Sequence, residues 1–234
     1  MIKAVFFDWF NTLTDYEPSR PELYRRAFEQ FGIKLPPKAI MRGILKGDLQ
    51  YFQENAKSPV NERGPEEQLK VFSCYTKAIL AEAGVTVAED LPLKILKVAR
   101  QQFKEDAIVL FDDVLTTLKT LKERRFILGL LTNATRRKLA LHRNLGLEEH
   151  LDFVVTSHEV GADKPRPPIF LAALERAGVS PVEAVHVGDH YQLDVLGARA
   201  VGINPVLIDR FDLFPEITDC VRIRSLAELV TYLG

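Results

Sequence analysis

Four short segments of the chain carry residues suited to moving a phosphoryl group. Asp8-Trp9-Phe10-Asn11-Thr12-Leu13 follows one apolar run and Thr132-Asn133 follows a second. Gly161-Ala162-Asp163-Lys164-Pro165 lies beyond a third run, and Gly188-Asp189 follows a fourth, with Asp194 shortly after. Three carboxylates brought together repel one another and raise each other's pKa. A hard divalent cation relieves that repulsion, and Mg²⁺ suits one or two carboxylates completed by water and substrate phosphate. A carboxylate nucleophile that forms an aspartyl-phosphate divides one hard step into two easier ones. Lys164 would hold such a nucleophile and balance phosphate charge. The Thr132 hydroxyl and nearby backbone N–H groups would hold phosphate oxygens. Thr12 and Asn133 are expected to contact the substrate.

This chemistry requires all four segments on one rim, and the flanking sequence supplies the means. Residues 2–7 form a short apolar run that reads as a buried parallel strand. Between 19 and 104 the apolar residues recur at three- and four-residue spacing. Examples are Leu23, Ala27, Phe28 and Phe31, then Leu69, Phe72, Thr76, Ile79 and Leu80. These are amphipathic helices, punctuated by Gly32, Pro36-Pro37 and the polar stretch 55–65. From 112 onward helices alternate with strands. Helices are expected over 115–123, 136–145, 168–177, 192–201 and 226–233. Strands are expected over 126–131, 153–155, 184–187, 205–208 and 221–223. Such alternation predicts a parallel sheet covered on both faces by right-handed crossovers. The fold class is therefore α/β, a doubly wound, Rossmann-like core with an inserted all-helical cap. The core is expected to take residues 1–15 and 106–234, and the cap 16–105. Ligands of open parallel sheets bind beyond the carboxyl ends of the strands, which is where the four segments lie.

The chain has 234 residues and a net charge of -1, with 47% hydrophobic and 27% charged residues. That is ordinary for a soluble globular protein. With no basic excess to neutralise phosphates, nucleic acid and a membrane surface are excluded as main partners. Only Cys74 and Cys220 are present, so a structural zinc site is not expected and both thiols read as reduced and partly buried. The apolar start is cut short by Asp8, which does not suit a signal peptide. No apolar run is long enough to span a membrane. A cytoplasmic location is expected.

In order and in strand context the four segments resemble the DxxxT, Ser/Thr, Lys-Pro and GDxxxxD motifs of the haloacid dehalogenase-like superfamily. The resemblance covers the whole expected core, and the helical block is similar to the family's cap inserted after the first motif. It implies Asp8 as nucleophile, Thr132 and Lys164 as partners of phosphate and nucleophile, and Asp189 as a metal ligand. It also implies metal coordination by the Phe10 backbone carbonyl, with Asp194 supporting the metal directly or through water. Phosphatases of this family usually carry a second Asp two residues after the nucleophile, as general acid and base. Here that position is Phe10. Loss of such a group typically costs ~10²–10⁴-fold in rate. Haloacid dehalogenases carry an aromatic Tyr there, because a halide leaves without a proton. They usually lack the two-carboxylate fourth motif, however, and their Tyr after the Lys-Pro motif corresponds to Phe170 here.

The expected function is thus a Mg²⁺-dependent phosphatase acting on a small phosphorylated metabolite. A metal-independent 2-haloacid dehalogenase using Asp8, and a non-catalytic binding protein on the same fold, are the alternatives. His190 and Asp15 are the residues near enough in sequence to supply the missing proton. His186, inside an apolar strand, reads as a hydrogen-bonded core histidine, and Trp9 as packing at the cap–core hinge. The cap cations Arg20, Arg25, Arg26, Arg42 and Lys46 could meet an anion, but charges on helices usually face solvent.

Overall fold

The structure, a computed structural model, describes residues 1–102, 108–133 and 145–234. The helix expected over 136–145 falls, through residue 144, outside the described residues. So does the expected boundary between 105 and 106. The chain divides into two compact units, one of Met1–Asp15 with Ile108–Gly234 and one of Tyr16–Ala107.

In the first unit the strands in chain order are β1 (Ala4–Phe7), β2 (Thr14–Tyr16, which ends in the second unit), β3 (Ile108–Leu110) and β4 (Ile127–Thr132), followed by β5 (Phe153–Thr156), β6 (Ala184–Gly188), β7 (Asn204–Ile208) and β8 (Val221–Ile223). Six of them form a parallel sheet in the order β5-β4-β1-β6-β7-β8. Numbered within that sheet, the order is 3-2-1-4-5-6, the doubly wound arrangement. Chain order reverses between β1 and β6, so the binding crevice opens beyond those two strand ends.

Alternation along the strands sorts the side chains into two cores. Val5 and Phe7 pair in register with Leu128 and Leu130, and with Val185 and Val187. These pack against Val114, Leu118 and Leu121 from helix Val114–Glu123, and against Leu226 and Leu229 from helix Leu226–Tyr232. Ala4, Phe6, Leu131 and Val155 face the other way, onto Ile169, Phe170, Ala173 and Ala198. All four β1 residues are buried, as a central strand covered on both faces requires. Each fully buried Leu, Ile, Val or Phe contributes roughly 1.5–3 kcal/mol. Helix Pro168–Ala177 starts with proline in its first turn, where no N–H is missed, and ends at Gly178 with φ 62.

Two features were not expected from the sequence. β2 and β3 pair as a short separate ribbon, too brief for any alternation to announce it. The helix expected over 192–201 is instead a wide i→i+5 turn, Tyr191–Val195, leading into helix Leu196–Ala200. Trp9 packs in the sheet's core with Val5, Phe7 and Leu13.

The second unit holds helices Arg20–Glu29, Pro37–Lys57, Pro65–Glu82 and Leu91–Gln102. Ala27, Phe28, Ile40, Ile44, Ile79 and Ile95 form its core. Gly43 and Gly47, one turn apart, let Pro37–Lys57 approach Pro65–Glu82 closely. A methyl group on Gly43 would come within 2.3 Å of the Ile79 Cα. No helix among the described residues is long and apolar enough to cross a membrane.

Candidate active site

All four sequence segments meet at the switch point, the Thr132-Asn133 segment through the backbone of Lys164. Asp8 follows β1 directly, and its N–H donates to the Val187 carbonyl at 2.9 Å. That extends the β1–β6 pairing by one residue and sets Asp8 beside the segment carrying Asp189. Lys164, almost wholly buried, donates through Nζ to Asp8 Oδ1 and, at 2.6 Å, to Asp194 Oδ1. One ammonium thus joins two carboxylates that are far apart in sequence. Asp8, Asp189 and Asp194 each place a carboxylate oxygen within 4.8 Å of the others.

Asp194 is held rigidly. His186 Nε2 lies 2.9 Å from its Oδ1, and the His190 backbone N–H donates to its Oδ2 at 3.1 Å. Gly188 is essential to this placement. A Cβ there would lie 2.2 Å from Asp194 Cγ, so only glycine lets the carboxylate fold back against the strand end. The wide turn at Tyr191–Val195 carries Asp194 into that position. Turns of this kind are frequent at functional sites.

The charges are unequal. Among the described residues three carboxylates face a single lysine. Burial pushes the Asp8 carboxyl up to about 6 and Asp194 adds to the rise, against the pull of Lys164. Burial would also raise Asp194, but Lys164 and the His186 hydrogen bond outweigh it and hold that carboxylate well below its usual range. Burial opposes the charge on Lys164, yet Asp194 and Asp8 raise its pKa, so it stays ammonium. Burial lowers His186, which leaves a neutral ring donating Nε2–H to Asp194. An all-oxygen, net negative cluster is the donor set of a hard divalent cation, and these residues fit one.

The remaining expected residues take specific places. Thr132 is buried at the end of β4. The Asn133 amide holds the backbone of Lys164. Its Oδ1 accepts from the Lys164 N–H at 2.8 Å and its Nδ2 donates to the Lys164 carbonyl at 3.3 Å. It thereby clamps the lysine's backbone. The Thr12 side chain is fully buried and its hydroxyl has no partner among the described residues. What Thr12 offers is its carbonyl, which accepts from Arg210. His190 caps its own turn, its Nδ1 accepting from the Leu193 N–H at 3.4 Å.

In the second unit Arg20, Arg25, Arg26 and Lys46 carry carboxylate partners. Arg20 forms a bidentate pair with Asp48 at 2.9 and 3.0 Å. Arg25 and Arg26 bind Glu22, and Lys46 binds Glu82.

This arrangement has known counterparts. The profile of haloacid dehalogenase-like hydrolases matches residues 2–202. The chain belongs to the haloacid dehalogenase-like hydrolase family. Haloacid dehalogenase-like hydrolase domain-containing protein 3 of Danio rerio is 31% identical over 90% of this chain and 86% of its own. Glyceraldehyde 3-phosphate phosphatase of Methanopyrus kandleri is 31% identical over 100% of this chain and 99% of its own. The crystal structure of a HAD phosphatase from Thermococcus onnurineus superposes with a TM-score of 0.60 at 27% identity, covering 100% of this chain and 98% of that one.

In this haloacid dehalogenase-like hydrolase the position of the usual second Asp holds Phe10, whose ring meets Trp9 edge-on at 6.2 Å. Phe170, beyond the Lys-Pro motif, is fully buried with its ring edge-on to His186 at 5.2 Å. Sequence reasoning passed over Asn11. It sits in the left-handed region at φ 57 and donates from Nδ2 to Asp189 Oδ2 at 2.9 Å. Asn tolerates that backbone region better than most residues, and this was the one available signal. Arg210 and Asp113 were passed over too, since nothing in their neighbourhoods distinguishes them from surface charges.

Proposed function

We propose that this hydrolase is a Mg²⁺-dependent phosphatase that cleaves a small phosphorylated metabolite in the cytoplasm through an aspartyl-phosphate on Asp8. The carrying observation is the buried Lys164 ammonium bonded at once to Asp8 and Asp194, with Asp189 in the same cluster. Asp8, the Phe10 carbonyl and Asp189 would hold the ion, with Asp194 behind them. When bound, the ion supplies positive charge that lets several carboxylates and a phosphate share one crevice.

Asp8 attacks phosphorus through a carboxylate oxygen as the bond to the leaving oxygen breaks. Lys164 keeps Asp8 oriented and ionised and offsets charge on the phosphoryl oxygens. Thr132 holds one of those oxygens. Water then attacks the phosphorus of the aspartyl-phosphate, releasing inorganic phosphate and restoring Asp8. Phe10 can neither donate nor accept the proton that these steps exchange. Substrates with good leaving groups are therefore favoured, acyl phosphates among them. The name of the Methanopyrus kandleri relative supports a short phosphorylated sugar as the substrate class.

The test is a screen of phosphorylated metabolites and an activated aryl phosphate, with Mg²⁺, with EDTA, and with Asp8→Asn. Turnover lost under both EDTA and Asp8→Asn is expected. Turnover that survives EDTA would sink the metal reading. Phe10 favours a second reading, a metal-independent dehalogenase. Halide released from a short 2-halo acid without added metal would establish it. If Asp8→Asn abolishes a measured turnover, the third reading, a non-catalytic binding protein, is refuted.

A further inference from the structure

We infer that Arg210 is a positioning residue that fixes the loop carrying Asp8 and the Phe10 carbonyl. The inference rests on the roles given to those two groups under the proposed function.

The loop after β1 is tightly wound. The Trp9 carbonyl accepts from the Leu13 and Thr14 N–H groups, both at 3.0 Å, and from the Thr14 hydroxyl at 3.1 Å. The Asn11 N–H donates to the Thr14 carbonyl at 2.7 Å. The Thr12 carbonyl is left out of this winding, on a residue with no exposed surface. A buried carbonyl without a donor is costly. Arg210 satisfies it twice, from Nη2 at 2.8 Å and Nε at 3.2 Å.

Arg210 is itself fixed from two further sides. Its guanidinium forms a bidentate pair with Asp113 at 2.9 and 3.0 Å. It also lies over the Phe111 ring, 4.0 Å from the centroid. Asp113 Oδ2 in turn accepts from the Leu226 N–H at 2.8 Å, at the start of the last helix. The Arg210 side chain is only 9% exposed, so this bidentate pair is largely shielded from water. A planar fork of five N–H donors can serve a carboxylate and a carbonyl together, whereas a lysine ammonium is a point charge that cannot hold both in one geometry. Arg210 thus ties the first loop to the end of β7, to helix Val114–Glu123 and to helix Leu226–Tyr232. No atom of it needs to touch substrate.

The chain's only tryptophan is Trp9, buried inside this loop, so its fluorescence reports loop order without metal or substrate. The experiment compares wild type, Arg210→Lys and Arg222→Lys. Arg222 pairs with Asp209 and Asp212, which follow the same strand. Far-UV circular dichroism identifies the temperature range in which each is folded. Mg²⁺ affinity is measured by calorimetry, and Trp9 accessibility by acrylamide quenching in EDTA. For Arg210→Lys the expected results are a red-shifted, more quenchable Trp9 and a Mg²⁺ dissociation constant raised about 10- to 100-fold, as for other residues that support a ligand. Arg222→Lys should behave as wild type. A folded Arg210→Lys with wild-type Trp9 quenching and wild-type Mg²⁺ affinity overturns the inference and leaves the metal reading standing. A wild type that binds no Mg²⁺, while Trp9 still loosens in Arg210→Lys, removes the metal reading and supports the positioning role.

Discussion

Replacing Asp8 by Asn should stabilise the metal-free protein more strongly as pH rises. The folded Asp8 carboxyl is raised from 3.8 to about 6, by burial first and by Asp194 second. At a pH below 3.8 Asp8 is protonated whether folded or unfolded, and no penalty arises. Above that value the unfolded chain gives up the proton readily and the folded chain does not. Stability is therefore lost as pH climbs through the folded pKa. Each unit is worth about 1.4 kcal/mol, so the full window amounts to about 3 kcal/mol. Between about pH 4.5 and about pH 7.5 the integrated loss is about 2 kcal/mol. The side chain is only 13% exposed, so little of this is screened by solvent. Asn has the same shape and never ionises. The assay is urea unfolding of wild type and Asp8→Asn in EDTA across that range. Taking the difference between them removes groups that titrate alike in both, such as Asp194, whose depressed carboxyl loses stability as pH falls. The stability of the variant relative to wild type should grow by about 2 kcal/mol toward neutral pH. A flat difference, or one that shrinks, would refute the reasoning, because Lys164 would then outweigh burial at Asp8. Excess Mg²⁺ should stabilise wild type at neutral pH and the variant much less.

Two further outcomes follow from the same geometry. Phe10→Asp restores a carboxylate at the position of the missing acid. Turnover of alkyl phosphates, which need a protonated leaving group, should rise by up to ~10²-fold, with little change for activated aryl phosphates; unchanged alkyl turnover would mean that proton transfer does not limit the rate. Gly188→Ala drives a methyl group to 2.2 Å from Asp194 Cγ. It should displace that carboxylate from Lys164 and His186 and lower phosphatase turnover at least about 10-fold, whereas an active Gly188→Ala protein would show that Asp194 need not sit against the strand end.

The sheet was legible in the sequence because buried strands and amphipathic helices leave different apolar patterns. Residues 2–7 read as a strand because a strand covered on both faces is a short apolar run, although only the structure sorts Val5 and Phe7 from Ala4 and Phe6, and Pro168–Ala177 announces its own ends with proline and glycine. Asp8, Lys164 and Asp194 could be named because each lies beside a strand end or a glycine that marks close approach. The hydrogen-bond partners of Thr12 and Asn133 could not be read, because a short polar side chain in a loop has several within reach. Only folding shows that Asn133 meets the Lys164 backbone and that the Thr12 hydroxyl is buried. The wide turn at Tyr191–Val195 escaped for a related reason. Its apolar spacing suits an α-helix, and it is the fit of Asp194 beneath Gly188 that distinguishes it.

By itself, then, the sequence determined the kinds of element, their order and the chemical types gathered at the strand ends, since these follow from hydrophobic period and turn chemistry along a local stretch. The tertiary structure alone decided which groups share protons and charge. Lys164 serves Asp8 and Asp194 together, Asn11 holds Asp189, and Arg210 braces the first loop across nearly the whole chain length. Hydrogen bonds and ion pairs depend on separations of a few ångströms between residues that the chain itself keeps far apart, and no local pattern encodes that distance.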